Sequence, residues 1–388
     1  LGVGAGDEVA TLGFFWISTI GAIVRNRAVP VLVDSDDTLN LDPGDLARKV
    51  TYRTKVVLPV HMAGEPVRMG PLMDVVRALN RDRAARGAAP LRVLEDCAQA
   101  IGGCGHGTPG PVAPAAPDGR HALGTFGDMA IFSLQLNKNI TCGEGGLIAC
   151  RDPDLHRRVT AIHDVGFLRD ARGTGNVEDV AGQLTLWGQG RRMTEMQGAL
   201  ARVQLRRLPE IVASMRRSHA AFEAHLRARG LAVRAHETPD GAGHTGGFVA
   251  FRLPDAGGDA DRVARGRAVA ADLRAGGLLA VFLHDFEVHV YYNVPQLVGH
   301  LDLAGGCNWS CPRAAPGAVA RRYDRGTLPR LDDAFATTIL FWVPSRLDAG
   351  LEVAACRLLD AVLDRRCGKL AGGDRGASTE GPASGGGA

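Results

Sequence analysis

The chain has 388 residues and carries 45 Lys and Arg against 42 Asp and Glu, a formal net charge of +3. At about 150 residues per domain, this length predicts two domains, or one large and one small. Hydrophobic residues make up 45% and charged residues 22%, which excludes a mostly disordered chain, a collagen-like fibre and a small disulfide scaffold. No apolar run approaches the roughly 18 residues of a membrane-spanning helix. The near-neutral charge also argues against nucleic acid as the main partner.

Lysine and cysteine usage narrows the possible chemistry. Only four lysines occur, so a mechanism that needs a lysine amine has few candidates: Lys49, Lys55, Lys138 and Lys369. The eight cysteines include no C-x-x-C pair, and Cys307 and Cys311 have no second pair or histidine at zinc-finger spacing. We therefore predict no metal site, and we expect reduced thiols and a cytoplasmic location.

The pattern of the first residues predicts the end of a helix followed by a strand. Gly2, Gly4 and Gly6 can adopt the left-handed conformation that ends helices, yet no helix precedes them. We therefore expect this sequence to be an N-terminally incomplete piece of a longer protein.

Short apolar runs alternate with helical patterns in the first half of the chain. Helices are predicted near 15–26, 43–49, 68–86 and 153–162. The alternation indicates a mostly parallel sheet covered on both faces. In such sheets ligands bind beyond the carboxyl ends of the strands, so the residues after each strand are the candidates for a site. The predicted strands are Glu8–Thr11, Pro30–Asp34, Lys55–Val60, Leu91–Glu95, Met129–Ser133 and Gly146–Cys150.

The second half of the chain predicts a smaller α+β domain. A long helix is expected from Thr194 to Arg229, kinked or split at Pro209. A strand over Phe248–Leu253 and helices near 258–275 and 349–365 follow it. Residues 105–122 and 170–183 are expected to be surface loops. The predicted division is a large domain over 1–210, a small C-terminal domain over 211–370 and a disordered Gly/Ser-rich tail over 371–388.

An acid ends the fourth predicted strand. Asp96 follows Leu94 and Glu95, and the amide Gln99 comes three residues later. A charged aspartate at the edge of a buried sheet is costly unless it meets a cation or strong donors, and a protonated ring nitrogen would be one such partner. Capping of the following segment is an equally weighted alternative for Asp96, because aspartate is a favoured N-cap.

The fifth predicted strand delivers Ser133 to its end, and Lys138 follows in a loop. Ser133 could donate to a phosphate oxygen, and Lys138 could form a Schiff base with an aldehyde if burial made it lose its proton readily. A surface lysine is the alternative, although the glycines at 143, 145 and 146 allow close packing around the site. After the first strand, an aromatic residue of the Phe14-Phe15-Trp16 run could stack on a planar ring.

The order of these features resembles the DegT/DnrJ/EryC1/StrS family of pyridoxal-phosphate sugar aminotransferases. The motifs are an aromatic residue, Asp-x-x-Gln, Ser-x4-Lys and Gly-Glu-Gly-Gly, and they are densest between Gly6 and Gln204. The resemblance implies a type I PLP-dependent aminotransferase fold of the α/β class, with a large, mostly parallel-sheet domain and a smaller C-terminal domain. It also implies a homodimer whose two copies share the active sites.

The resemblance also implies a role for each matching residue. Lys138 would hold pyridoxal 5'-phosphate and shuttle protons, and Asp96 would pair with the pyridine nitrogen. Gln99 would bond the ring oxygen and Ser133 the phosphate. Trp16 matches the stacking position, with Phe15 as the second choice. Further candidates for substrate contacts, each with a packing role as an equal alternative, are His163, Arg192, His289, Tyr291 and Asn293.

Two positions depart from the family pattern. The phosphate loop that the family has before its Gly-Asp-Glu-Val segment is absent from this sequence. Gly190 stands where the family usually has an asparagine that reaches the neighbouring subunit's cofactor, and Gln189 or Arg191 could replace its donor. The predicted function is transamination of a nucleotide-linked keto-sugar or cyclitol, with glutamate or glutamine as amino donor.

Three alternatives stay open. A non-catalytic or truncated homologue of the same fold is favoured by the two departures from the family pattern. A sugar dehydratase is disfavoured because that branch has histidine in place of Lys138. A dehydrogenase is disfavoured because no G-x-G-x-x-G follows a strand.

Overall fold

The fold consists of two main β-sheets and the helices packed on them. The computed structural model describes residues 1–108, 119–167, 186–238, 240–255, 257–303, 306, 308–314, 317 and 320–368. The centre of the predicted loop at 105–122, the whole of the one at 170–183 and the predicted disordered tail lie outside these residues.

Each element is named here in chain order. The strands are β1 Glu8–Leu12, β2 Val29–Val33, β3 Thr54–Leu58, β4 Arg92–Asp96, β5 Cys104–Gly105, β6 His121–Ala122, β7 Met129–Ser133, β8 Gly146–Cys150, β9 Phe248–Arg252, β10 Ala280–Phe282 and β11 Thr338–Trp342. The helices are α1 Ile17–Arg25, α2 Pro43–Lys49, α3 Met69–Ala85, α4 Pro153–His163, α5 Glu195–Ala228, α6 Asp259–Ala275, α7 Pro295–Val298, α8 Pro329–Phe335 and α9 Ala349–Cys367. Single 3-10 turns lie at Met62–Gly64, Leu283–Asp285, Glu287–His289 and Tyr291–Asn293.

The first sheet has six strands in the order β2-β1-β3-β4-β7-β8. All neighbouring pairs are parallel except β7 and β8, so β8 is an antiparallel edge strand. The predicted mostly parallel sheet is thus confirmed. Every residue of β1 and β2 is buried, as expected where helices cover both faces of a sheet. The carboxyl ends of β1, β3, β4 and β7 therefore meet at one edge.

The second sheet has three antiparallel strands in the order β10-β11-β9. Helices α6 and α9 pack on it around an apolar core that contains Val269, Phe341 and Leu363. The predicted division at residues 210 and 211 falls within α5, which contributes Phe222 and Leu226 to this core. The exact domain division stays a prediction.

Helix α5 is not split at Pro209. It runs without interruption over 34 residues, and Thr194 begins it with a capping box that Gln197 completes. Leu208, Val212 and Met215 on either side of the proline are buried in one apolar cluster. Their packing offsets the backbone hydrogen bond that a proline removes from a helix.

The described residues of 283–303 and 320–335 return from the second sheet and pack on the first. Leu283, Tyr291 and Phe335 belong to the same apolar core as β1 to β3. The Asp34 carboxylate at the end of β2 accepts hydrogen bonds from the Arg330 and Leu331 amides, at 3.1 and 2.9 Å, and so caps the start of α8. This return places His289 beside α1. Among the described helices, none has the length and apolarity that crossing a membrane requires.

Candidate active site

Asp96 is the last residue of β4 and lies at the edge where the parallel strands end. Its carboxylate accepts hydrogen bonds from the Thr19 hydroxyl at 3.1 Å and the Ala98 amide at 3.1 Å. Burial raises the pKa of Asp96, although these donors and the charges of His61 and Lys138 oppose the rise. A buried carboxylate with this pKa is suited to a cationic partner, whose charge would favour the ionised form.

Lys138 lies five residues beyond the end of β7, the strand that pairs with β4. Its charge acts on Asp96 and on His289, so the amine lies near both groups. Burial lowers the pKa of Lys138, and attraction to Asp96 partly opposes this shift. A larger fraction of this amine is therefore neutral near pH 7 than of an exposed lysine, and the neutral form is the nucleophile.

Trp16 is the N-cap residue of α1, the helix whose Thr19 bonds Asp96. Its indole is tilted against the His289 ring at a centroid distance of 4.8 Å. Trp16 is 45% exposed, whereas Phe15 is fully buried and its amide donates to the His289 carbonyl at 3.0 Å. An exposed ring face is required for stacking on a ligand, so the geometry favours Trp16 over Phe15.

His289 is the substrate candidate that the structure brings to Asp96, Lys138 and Trp16. Its ring stacks on Phe286 at a centroid distance of 3.8 Å, and its Nδ1 is buried with no hydrogen-bond partner among the described residues. Burial and the nearby Lys138 charge lower the pKa of His289 to about 4. The imidazole is therefore neutral at pH 7 and has one nitrogen available to a ligand.

We expect His289 to make folding stability depend on pH. Because its pKa is about 4 in the folded chain and about 6.5 in the unfolded chain, the unfolded state binds protons first as pH falls. The stability associated with His289 is present above pH 6.5 and is lost progressively toward pH 4. Urea unfolding of wild type and His289→Gln from pH 4 to 7 measures this, and the variant should show the shallower dependence. Parallel curves would contradict the expected burial.

Gln99 and Ser133 lie at the same edge of the sheet. The Gln99 Oε1 accepts the Ala63 amide at 2.7 Å, which orients the side-chain NH2 as a donor. Ser133 ends β7, and its Oγ accepts the Gln135 amide at 3.3 Å while its hydroxyl hydrogen remains able to donate. Both side chains can therefore bind oxygen atoms of a ligand near Lys138.

The other substrate candidates lie in different surroundings. His163 is exposed in the last turn of α4, and Arg192 forms an ion pair with Asp164 beside it. Gly190 pairs with Asp164, while Gln189 and Arg191 bond each other at 2.6 Å. The Asn293 amide donates to the His284 carbonyl at 3.1 Å. None of these contacts reaches Asp96 or Lys138 within the described ranges, so substrate roles for them stay predictions.

Tyr291 lies in the core instead of at the site. It is fully buried, and its hydroxyl lies 2.8 and 3.0 Å from the two Asp332 carboxylate oxygens and 3.3 Å from the Leu328 amide. Burial and the Asp332 hydrogen bond raise the pKa of Tyr291. These contacts favour a packing role over a substrate contact.

We expect Tyr291→Phe to destabilise the fold by about 1.5–3 kcal/mol, the range for a lost hydrogen bond to a charged group. Activity per folded molecule should not change. Tyr292→Phe is the matched control, because the Tyr292 hydroxyl is buried with no hydrogen-bond partner among the described residues. Denaturant unfolding and a KM measurement check both; a raised KM without destabilisation would restore Tyr291 as a substrate contact.

Two supporting residues were not identified from the sequence as parts of the site. Thr19 lies in the first turns of α1 and bonds Asp96, which is 77 positions away. His61 follows β3, and its backbone amide donates to the Asp96 carbonyl at 3.1 Å. Its buried Nδ1 accepts the Val67 amide at 3.0 Å, and its Nε2 lies 3.4 Å from the Glu95 carboxylate. The position of His61 directly after a parallel strand is a signal that could have identified it.

The residues present fit pyridoxal phosphate. A buried carboxylate, a lysine with a lowered pKa, an exposed aromatic face and a His289 nitrogen without a hydrogen bond lie close to the same edge of the sheet. These groups match what a planar ring with a basic nitrogen and an aldehyde requires. Asp96 would hold the ring nitrogen, Trp16 the ring face, Lys138 the aldehyde carbon and Ser133 a phosphate oxygen.

Comparison with known proteins identifies the family to which the chain belongs. The model of the DegT/DnrJ/EryC1/StrS aminotransferase family matches residues 1–264. GDP-perosamine synthase of Caulobacter vibrioides is 33% identical over 227 residues, which are 58% of this chain and 53% of that protein. The chain therefore spans about half the length of this curated relative.

Solved structures agree on the fold. 3-Amino-5-hydroxybenzoic acid synthase is 26% identical with a TM-score of 0.67, and the match covers 94% of this chain and 82% of that one. The sugar aminotransferase CalS13 from Micromonospora echinospora is 25% identical with a TM-score of 0.67, covering 92% and 81%. The expected α/β type I aminotransferase fold is confirmed.

Proposed function

Because the chain belongs to the DegT/DnrJ/EryC1/StrS aminotransferase family, we propose that it transfers an amino group to a keto-sugar with pyridoxal phosphate as cofactor. The observation that carries this proposal is the buried Asp96 carboxylate and the partly buried Lys138 amine, whose charges act on each other at the edge of the parallel sheet. Neither group has its ordinary pKa, and perturbed acids and bases of this kind concentrate at active sites.

Pyridoxal phosphate, when bound, supplies an electron sink that stabilises negative charge on the amino-bearing carbon. Lys138 moves protons at its Nζ, because burial brings its pKa closer to neutral pH. Asp96 holds the cationic ring nitrogen through a carboxylate that Thr19 and Ala98 fix in place. Trp16 and His289 contact each other at the start of α1, where their rings would cover one side of the bound cofactor.

The substrate class is supported by the names of relatives. One is a GDP-perosamine synthase and another a sugar aminotransferase, so a nucleotide-linked keto-sugar or a cyclitol is the proposed acceptor. Glutamate or glutamine is the proposed donor. His289 is the residue best placed for a substrate contact, because its free Nδ1 lies beside Trp16. His163, Arg192 and Asn293 are proposed as outer contacts.

The proposed assembly is a cytoplasmic homodimer. Large apolar side chains are exposed on β8, on α4 and on the first turns of α5: Leu147, Ile148, Ile162, Met196, Leu200 and Val203. Gln197 of α5 donates to the Glu144 carbonyl just before β8, which brings these elements together. Exposed apolar area of this kind is typical of a subunit contact. Sedimentation of wild type and Leu200→Glu tests it, and a monomeric wild type would contradict it.

The function is tested by the half-reaction with the amino donor. Purified protein mixed with pyridoxal phosphate should develop a near-visible absorbance band, and L-glutamate or L-glutamine should bleach it, whereas D-glutamate should not. A folded protein that shows no band would instead support the non-catalytic alternative. Addition of a keto-sugar nucleotide to the bleached enzyme should restore the band.

A further inference from the structure

Three histidines meet in the interior, away from Lys138. His219 lies on α5, and His236 and His244 lie in the segment between α5 and β9. The side-chain atoms that could ligate a metal lie within 4.8 Å of one another. The His219 and His244 ring centroids are 4.1 Å apart, and those of His236 and His244 are 4.7 Å apart.

Two of these rings have a buried nitrogen without a partner. His219 is 4% and His244 is 8% exposed, and the Nδ1 of each makes no hydrogen bond to any described residue. Buried polar atoms normally find a partner, because leaving one unsatisfied is costly. A buried imidazole nitrogen that lacks a hydrogen bond can serve as a metal ligand.

The third ring lies between two carboxylates. His236 Nε2 is 3.0 Å from a Glu223 oxygen, and its Nδ1 is 2.8 Å from a Glu65 oxygen. Metal-bound histidines usually donate their other N–H to a carboxylate, which fixes the ring, and Glu65 already occupies that position. Glu223 is four residues after His219 on α5, so both side chains project from the same helix face.

The backbone that carries His244 is held tightly. A side chain at Gly243 would collide with the Cys104 carbonyl, and Gly246 has a φ of +80° and packs against the Arg216 backbone. The Arg216 guanidinium donates to the His244 carbonyl at 2.5 Å, and the Thr245 amide donates to the Gly64 carbonyl at 2.9 Å. The histidine is thus positioned by the fold before any ligand binds.

We propose that His219, His236, His244 and Glu223 bind one zinc ion, with Glu65 orienting His236 through its Nδ1–H. Three imidazole nitrogens and one carboxylate oxygen form a ligand set that suits tetrahedral Zn²⁺. Binding replaces the proton on His236 Nε2 by the metal and releases that proton to solvent. Glu65 and Glu223 supply negative charge at the site, and the positive charges near them are Arg227, 3.4 Å from Glu223, and the buried Arg234. The site is distinct from the Lys138 site and does not rest on the proposed aminotransferase activity.

Zinc titration of the cofactor-free protein tests the site. Protein purified without a polyhistidine tag and stripped with a chelator should bind one zinc ion from ZnCl2 in competition with a chromophoric chelator. Single His219→Ala and His244→Ala variants should bind at least about 100-fold more weakly, and Glu65→Gln about 10–100-fold more weakly. His225→Ala is the matched control, because His225 lies on α5 and pairs with Asp360. Its affinity should equal that of wild type.

Cobalt distinguishes this site from zinc held by cysteine, since the described residues include six free thiols: Cys97, Cys104, Cys142, Cys150, Cys356 and Cys367. CoCl2 should give wild type the visible bands of tetrahedral cobalt with no sulfur-to-metal charge-transfer band. The same spectrum identifies the site even if the alanine variants fail to fold, which circular dichroism would reveal. Folded wild type that binds no stoichiometric zinc, a thiolate spectrum, or full affinity in folded His219→Ala and His244→Ala would overturn the proposal.

Discussion

Lys138→Ala is expected to abolish the near-visible band with pyridoxal phosphate and to lower the rate of amino transfer by at least about 10³-fold, within the range for loss of a general acid–base group. Lys138 is the lysine whose charge acts on Asp96, and burial lowers its pKa. Lys55→Ala is the matched control. The Lys55 amine lies at the surface in an ion pair with Asp7 at 3.0 Å, and its loss should change neither quantity.

The pH dependence gives a second measurement of Lys138. Since its pKa is lowered, the rate at which the cofactor attaches should rise with pH and reach its midpoint below the value of about 10.4 for a free lysine. Stopped-flow absorbance between pH 6 and 10 measures this. A midpoint at or above the free value would contradict the burial of the amine. A band retained by folded Lys138→Ala would assign attachment to another lysine.

The order of strands and helices was largely predictable from the sequence, because buried parallel strands are short apolar runs, and α2 and α4 begin at a capping aspartate followed by proline. β7 and β8 have the predicted bounds, and α2 and α3 differ from prediction by at most one residue at each end. The continuity of α5 was not predictable, since it depends on Leu208, Val212 and Met215 packing around Pro209. The local sequence shows that a proline weakens the helix, but it does not show which apolar side chains will pack around the proline and offset that loss.

Those residues of the candidate site that lie at or just after the end of a strand were predictable from the sequence. Asp96 and Ser133 directly end strands, and Lys138 follows one, so topology alone brings them to one edge. Thr19 and His289 come from an unrelated helix and a returning segment, and only the folded chain shows which side chain faces Asp96 or Trp16. Tyr291 illustrates the opposite case. Its neighbour His289 faces the site, yet the hydroxyl of Tyr291 turns into the core toward Asp332.

Asp96→Asn is expected to lower kcat by about 10²–10³-fold, the loss typical of removing one preorganised electrostatic contact, with little effect on folding. The amide oxygen can still accept from the Ala98 amide, the NH2 group that replaces the second oxygen can donate to the Thr19 hydroxyl, and a neutral group is easier to bury than a carboxylate. Asp36→Asn is the control, because burial also raises the pKa of Asp36 but its carboxylate pairs with Arg68. Steady-state kinetics should show normal kcat in that variant.

The acidic limb of the pH profile separates an electrostatic role of Asp96 from a merely structural one. Burial raises the pKa of Asp96, so wild-type kcat should fall as pH drops through a value above that of a free aspartate. That limb should be missing from Asp96→Asn, because asparagine does not titrate. Thr19→Val removes one donor to the ionised carboxylate, so it should raise the pKa further and shift the limb toward higher pH. An acidic limb that is the same in all three proteins would show that the carboxylate of Asp96 does not control the reaction.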